Sequence, residues 1–116
     1  MKIKYNTTVY NKANPMGKDI TRTAIGEEVT KPNYLVCDND LIFIKTDKNI
    51  IHVIEPTRIL EINGNKVTPC RIVDNYHEKT LNTIYMSKEE AEKAMNDMIA
   101  ECRNKSQNYD FDVVIY

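Results

Sequence analysis

The sequence predicts an α+β fold: a mostly antiparallel β-meander or small partly open barrel, with one C-terminal helix packed on it and a final strand. Three observations carry this. Residues 41–73 are a series of short β-prone runs separated only by turn residues. Ser87-Lys88-Glu89-Glu90 opens an apolar-striped helix over 87–104. Residues 109–116 then alternate apolar with polar side chains, as a half-buried strand does.

Lys2–Tyr10 reads as the first strand, with Ile3, Tyr5, Thr7 and Val9 on one face. Asn, Pro and Gly cluster in 11–18 and make it a loop. Ile20–Ile25 is a weaker strand, 26–33 a polar connection, and Tyr34–Cys37 a short apolar run turned by Asp38-Asn39-Asp40. Within 41–73, Asp47-Lys48 sits at hairpin spacing, and Glu55-Pro56 breaks the next run. Asn63-Gly64 is the strongest hairpin signal, since both residues accept the positive φ of a type I′ turn. Arg58–Ile62 is read as a strand, and Pro69 marks 66–73 as an edge or bulged strand. Residues 74–80 read as a loop and Asn82–Met86 as one more strand. In the helix, the Ser87 hydroxyl caps the N–H of Glu90, and acids at the start oppose Arg103 and Lys105 at the end. Ala91, Ala94, Met95, Met98, Ile99 and Cys102 form its apolar stripe.

At 116 residues the chain is read as a single α+β domain, 1–116, with average apolar and charged fractions. A net charge of −1 argues against general nucleic-acid coating, which needs a basic excess. Cys37, Cys70 and Cys102 lie far apart, form no C-x-x-C pair and read as small core residues of a reducing cytosol. The first residues lack an apolar leader core, and no run is long enough to span a membrane. A cytoplasmic location is therefore expected. Abundant Ile, Lys and Asn, and twelve Lys against four Arg, match AT-rich genomes of low-GC bacteria and their phages.

Most polar clusters have a folding explanation. Glu89, Glu90 and Glu92 belong to the helix dipole, and Asp38 and Asp40 to a turn rather than a calcium loop. His52 and His77 have no second ligand at metal spacing, and no catalytic signature or cofactor loop is present. No metal and no cofactor is expected, and a non-catalytic role is preferred. The arginines stand out: Arg22, Arg58, Arg71 and Arg103 offer planar donor forks for phosphate. Arg58 and Arg71 are expected in neighbouring strands across the Asn63-Gly64 hairpin. Tyr85 offers a stacking face beside Ser87, whose helix N-terminus attracts anions. The candidate ligand-binding residues are therefore Arg58, Arg103, Tyr85, Arg22, Arg71 and Ser87.

Size, codon-biased composition and the order of a sheet followed by helical structure resemble the anti-Thoeris proteins of phages. That resemblance spans most of the chain and rests on element order. It implies an oligomer that sequesters a cyclic ADP-ribose-type signal, with phosphate contacts on Arg58 or Arg103 and stacking on Tyr85. By composition the chain looks equally like anti-CRISPR inhibitors, which implies a host defence protein as partner through a helix face or the 109–116 edge. A nucleic-acid-binding β-barrel module is a third reading.

Overall fold

β1 (Lys2–Val9) and β2 (Lys18–Ile25) pair antiparallel along their whole length, from Lys2 opposite Ile25 to Val9 opposite Lys18. They open a computed structural model that describes residues 1–35 and 41–116. These residues form two compact units, Met1–Val67 and Thr68–Tyr116. Elements are mostly antiparallel strands with one C-terminal helix and a final strand, and no described sheet closes on itself.

The first unit holds two sheets. One has the order β2-β1-β6-β7, with β6 at Ile59–Ile62 and β7 at Asn65–Lys66. The other has the order β3-β4-β5, with β3 at Glu27–Val29, β4 at Ile42–Lys45 and β5 at Ile51–Ile54. β3 lies where a polar connection was expected. Its sequence is polar, but pairing with β4 sets Glu27 opposite Lys45, a favourable cross-strand charge pair. Gly26 is the corner between the sheets: a Cβ there would overlap the Lys45 carbonyl, so only glycine allows the two backbones to approach. Ile3, Tyr5, Ala24, Phe43, Ile44, Ile54 and Ile59 are the buried apolar residues of these sheets. Tyr5 and His52 join them, through a 2.9 Å hydrogen bond between Oη and Nδ1. That bond satisfies the histidine of an otherwise apolar strand.

Turn chemistry acts as read. Asn63 and Gly64 take φ of 52° and 80° and close the β6–β7 hairpin with Ile62 opposite Asn65. In the β4–β5 hairpin the positive φ falls on Asn49 at 61°. The expected strand Tyr34–Cys37 and turn 38–40 fall largely outside the described residues, as does Cys37. Tyr34 itself lies in an exposed turn, where the Leu35 N–H donates to the Pro32 carbonyl at 3.1 Å.

The second unit is a three-stranded sheet with a helix on it. β8 (Cys70–Asp74) lies between β10 (Phe111–Ile115) and β9 (Lys79–Thr80). Cys70, Ile72 and Asp74 are buried on one face of β8. The helix α1 (Lys88–Asn104) packs on β8 and β10. Its six stripe residues, Ala91 through Cys102, are its buried or half-buried ones. The Ser87 hydroxyl accepts from the Glu90 N–H at 3.2 Å, so the cap forms as read.

The β-prone run 42–74 is thus shared among three sheets. Two prolines explain the divisions. Pro56 begins a 3-10 turn over Pro56–Arg58 instead of interrupting a strand, which places Arg58 in that turn rather than in β6. Pro69 sits one residue before β8, where its missing N–H removes no ladder bond and its carbonyl accepts from the Tyr116 N–H at 3.0 Å. β8 is accordingly a central strand, not the edge that Pro69 implied. Residues 79–80 form β9 where a loop was expected. The expected strand 82–86 reduces to a single bridge, Tyr85 to Cys70.

Candidate functional site

β8 ends at Asp74, and the chain reverses through Asn75–Glu78, with Glu78 at a φ of 54°. Asp74 organises this turn. One carboxylate oxygen accepts the His77 backbone N–H at 3.1 Å, and the other lies 2.8 Å from His77 Nδ1. Asp74 is only 6% exposed. Burial alone would raise its pKa, but the His77 N–H, the His77 ring and charge, and Lys79 together hold the carboxyl below its usual range.

Helix α1 ends nearby within the same unit, in a double-bonded Schellman turn. The Ser106 N–H donates to the Arg103 carbonyl at 3.1 Å, and the Gln107 N–H to the Cys102 carbonyl at 2.8 Å. Ser106 takes the left-handed position, at a φ of 53°, usually held by glycine. This stop carries Gln107, Asn108 and Tyr109 toward β10.

Between the two turns lies a pocket of about 380 Å³. Asp74, Tyr76 and His77 line it from the β8 turn, and Cys102, Gln107, Tyr109 and Phe111 from the helix end and β10. Two aromatic pairs contribute to the wall. The rings of Tyr76 and His77 meet edge-on with centroids 5.0 Å apart. Those of Tyr109 and Phe111 lie nearly parallel, 13° apart in plane, at 6.2 Å. Arg103 Nε donates to the Tyr109 hydroxyl at 3.0 Å, so a guanidinium stands one hydrogen bond behind the wall. Such a cavity offers planar faces for stacking, amides for reading a ring edge, and a cation for an anionic group.

The six residues expected to bind ligand are divided between the two units. Arg58 and Arg22 belong to the first unit. All three guanidinium nitrogens of Arg58 have partners there: Thr8 Oγ1 at 3.0 Å, Asp19 at 3.5 Å and Glu55 at 4.0 Å. The Thr8 hydroxyl, more than Arg58, holds the Asp19 carboxyl below its usual range. Arg22 stands opposite Tyr5 in register and acts on its hydroxyl, although burial of the ring still leaves the Tyr5 pKa raised. Arg71 is on β8 with its guanidinium 5.9 Å from the Tyr116 ring centroid. It shares no ladder with Arg58, because Arg58 lies in the Pro56–Arg58 turn of the first unit and β8 belongs to the sheet of the second. Tyr85 is tied to Cys70 by backbone bonds in both directions, at 2.7 and 2.8 Å. Ser87 is occupied as the helix cap. It lies sixteen residues from Arg103, roughly 24 Å along the helix axis. Of the six, Arg103 alone adjoins the pocket.

Sequence reading did not select the pocket's other residues. His77 looked like a loop residue, Cys102 like helix stripe, and Tyr109 and Phe111 like strand alternation. One local signal was present: Asp74 three residues before His77, the spacing of a side chain capping a turn. Cys70 and Cys102 both carry thiols. Burial, with Glu89 nearby, pushes the Cys70 thiol up in pKa, and it donates to the Thr68 carbonyl at 3.0 Å. Among the described residues no three His, Cys, Asp or Glu side chains gather as a metal site, and no helix is long and apolar enough to cross a membrane. No protein-family profile, curated protein or solved structure matches the chain.

Proposed function

We propose that the protein binds a small, planar, phosphorylated ligand of nucleotide type in the pocket at the C-terminal end of α1, and holds it without turnover. One observation carries the reading: two aromatic pairs, two side-chain amides and a neighbouring guanidinium converge on about 380 Å³. Ligand cavities start at about 300 Å³, so the volume suits a nucleoside-sized group. A base would stack on Tyr109 or Tyr76, with Gln107 and Asn108 meeting its polar edge. The phosphate would take the Arg103 side, away from the Asp74 carboxylate, which repels it. Retention without chemistry is sequestration, and a nucleotide-derived immune signal in an infected bacterial cell is the proposed cargo. The sequence resemblance supplies that biological setting, and the pocket supplies the chemistry.

The test is calorimetric titration with cyclic ADP-ribose isomers, ADP-ribose and cyclic dinucleotides, followed by denaturation and recovery of the bound compound. Binding is expected with intact release. Arg103→Ala should weaken it about tenfold, the value of one charge-assisted hydrogen bond. Arg58→Ala should leave the affinity of the folded protein within about twofold, because Arg58 is engaged inside the first unit. No binding by any of these compounds overturns the ligand class, and recovery of a converted product overturns retention.

A further inference from the structure

β10 is an edge strand of its sheet, paired with β8 on one side only. In the first unit β2 carries Lys18, Asp19 and Arg22, β3 and β7 are only three and two residues long, and β5 is an uncharged edge of four residues. Short or charged edges resist pairing with other chains. β10 has neither protection. Its five residues are Phe-Asp-Val-Val-Ile, with Val114 39% and Ile115 49% exposed and Tyr116 beyond them 51% exposed. Its one charge, Asp112, is drawn toward its own sheet by the Asn75 side chain, which donates to it at 2.8 Å.

The ladder determines which backbone groups face outward. The Asn75 N–H donates to the Asp110 carbonyl at 2.8 Å, and the Tyr116 N–H to the Pro69 carbonyl at 3.0 Å. With Phe111 opposite Asp74 and Ile115 opposite Cys70, residues 110, 112, 114 and 116 turn their N–H and C=O groups to β8. Phe111, Val113 and Ile115 must then turn theirs outward. Among the described residues nothing hydrogen-bonds to them there.

We infer that this edge pairs with the same edge of a second copy, antiparallel about a twofold axis at Val113. The occupant follows from register. Only pairings that set 111, 113 and 115 against themselves satisfy the outward groups. A twofold at Asp112 would place the two Asp112 carboxylates directly opposite, which is destabilising. A twofold at Val114 leaves Phe111 without a partner inside the strand. Centring on Val113 pairs Phe111 with Ile115, Val113 with Val113 and Ile115 with Phe111. It sets each Asp112 beside Val114 and covers the exposed Ile115 with an aromatic ring. The result is a continuous six-stranded sheet, β9-β8-β10 joined to its symmetry mate. This pairing does not depend on the ligand reading.

Sedimentation equilibrium of the full chain across a hundredfold concentration range tests the pairing. A reversible dimer is expected. Val113→Pro removes an outward N–H but no bond to β8, and Ile115→Lys places a charge on the edge. Each should raise the dimer dissociation constant at least tenfold while circular dichroism shows the fold retained. Register is read from oxidative cross-linking: Val113→Cys should form a disulfide with its own copy, and Asp112→Cys should not. A monomer at every concentration overturns the inference. So does a dimer that both edge variants leave intact, or cross-linking through position 112 instead of 113.

Discussion

Arg58 and Arg103 are the same side chain in two circumstances. Arg58 lies within the first unit, half-buried, with each nitrogen matched to Thr8, Asp19 or Glu55. Arg103 lies at the end of α1 with Nε on a tyrosine hydroxyl, beside a cavity. The first arrangement is self-satisfied and joins strands; the second leaves donor capacity next to open space. A guanidinium is therefore a poor indicator of a site until its partners are known. The contrast extends to the units. The first is organised by buried isoleucines, a glycine corner and a Tyr–His link between sheets. The second places its acid, histidine, thiol and aromatic rings around one pocket.

The contrast can be broken most directly at Gly26. Gly26→Ala pushes a methyl into the Lys45 carbonyl, and the first unit should lose about 1–3 kcal/mol in denaturant melts. Binding at the pocket should be unchanged in the protein that remains folded. Equal loss of ligand affinity would show that the pocket depends on the first unit's scaffold.

A smaller effect is expected from acid. The Asp74 carboxyl titrates below its unfolded value of 3.8, so its contribution to stability is present above that pH and lost as pH falls through the folded value. Protection of the amides in 68–116, relative to their intrinsic exchange, should fall over that acid range in the wild type. In Asp74→Asn the Asp74 share of that fall should vanish, because the group no longer titrates. An identical acid profile in the two proteins would remove Asp74 as the organiser of the turn.

The smallest change has the opposite sign. Ser106 holds a left-handed φ that costs an L-residue about 1 kcal/mol, so Ser106→Gly should raise the stability of the second unit by up to about that amount. A stability loss instead would mean that the serine side chain supports the pocket rim.

Local chemistry made much of the fold legible. Ser87 and Glu90 meet as a cap, Asn63-Gly64 takes the positive φ angles of its turn, and the six apolar residues of α1 are the ones turned inward. The cap and the turn depend on contacts within four residues and the stripe on the helical period, both of which sequence spacing reports directly. Pro56 and Pro69 were recognised as interruptions, but not as the points where the chain leaves one sheet for another. A proline removes a donor wherever it sits; whether the next strand rejoins the old partner depends on distant residues. The polar β3 was missed for the same reason, since Lys45 opposite Glu27 lies eighteen positions away.

The candidate site was less legible. Arg103 stands out in the sequence by its chemistry, whereas Asp74 and His77 read as loop residues and Tyr109 as part of an alternating strand. The amino-acid sequence by itself determined where α1 begins and ends, which of its faces is apolar and where the Asn63-Gly64 hairpin turns, because these follow from backbone propensities, capping and periodicity. Only tertiary structure decided which arginine is already engaged and which stands beside a cavity. Those outcomes depend on which distant groups come within hydrogen-bond reach, and spacing along the chain carries no record of that distance.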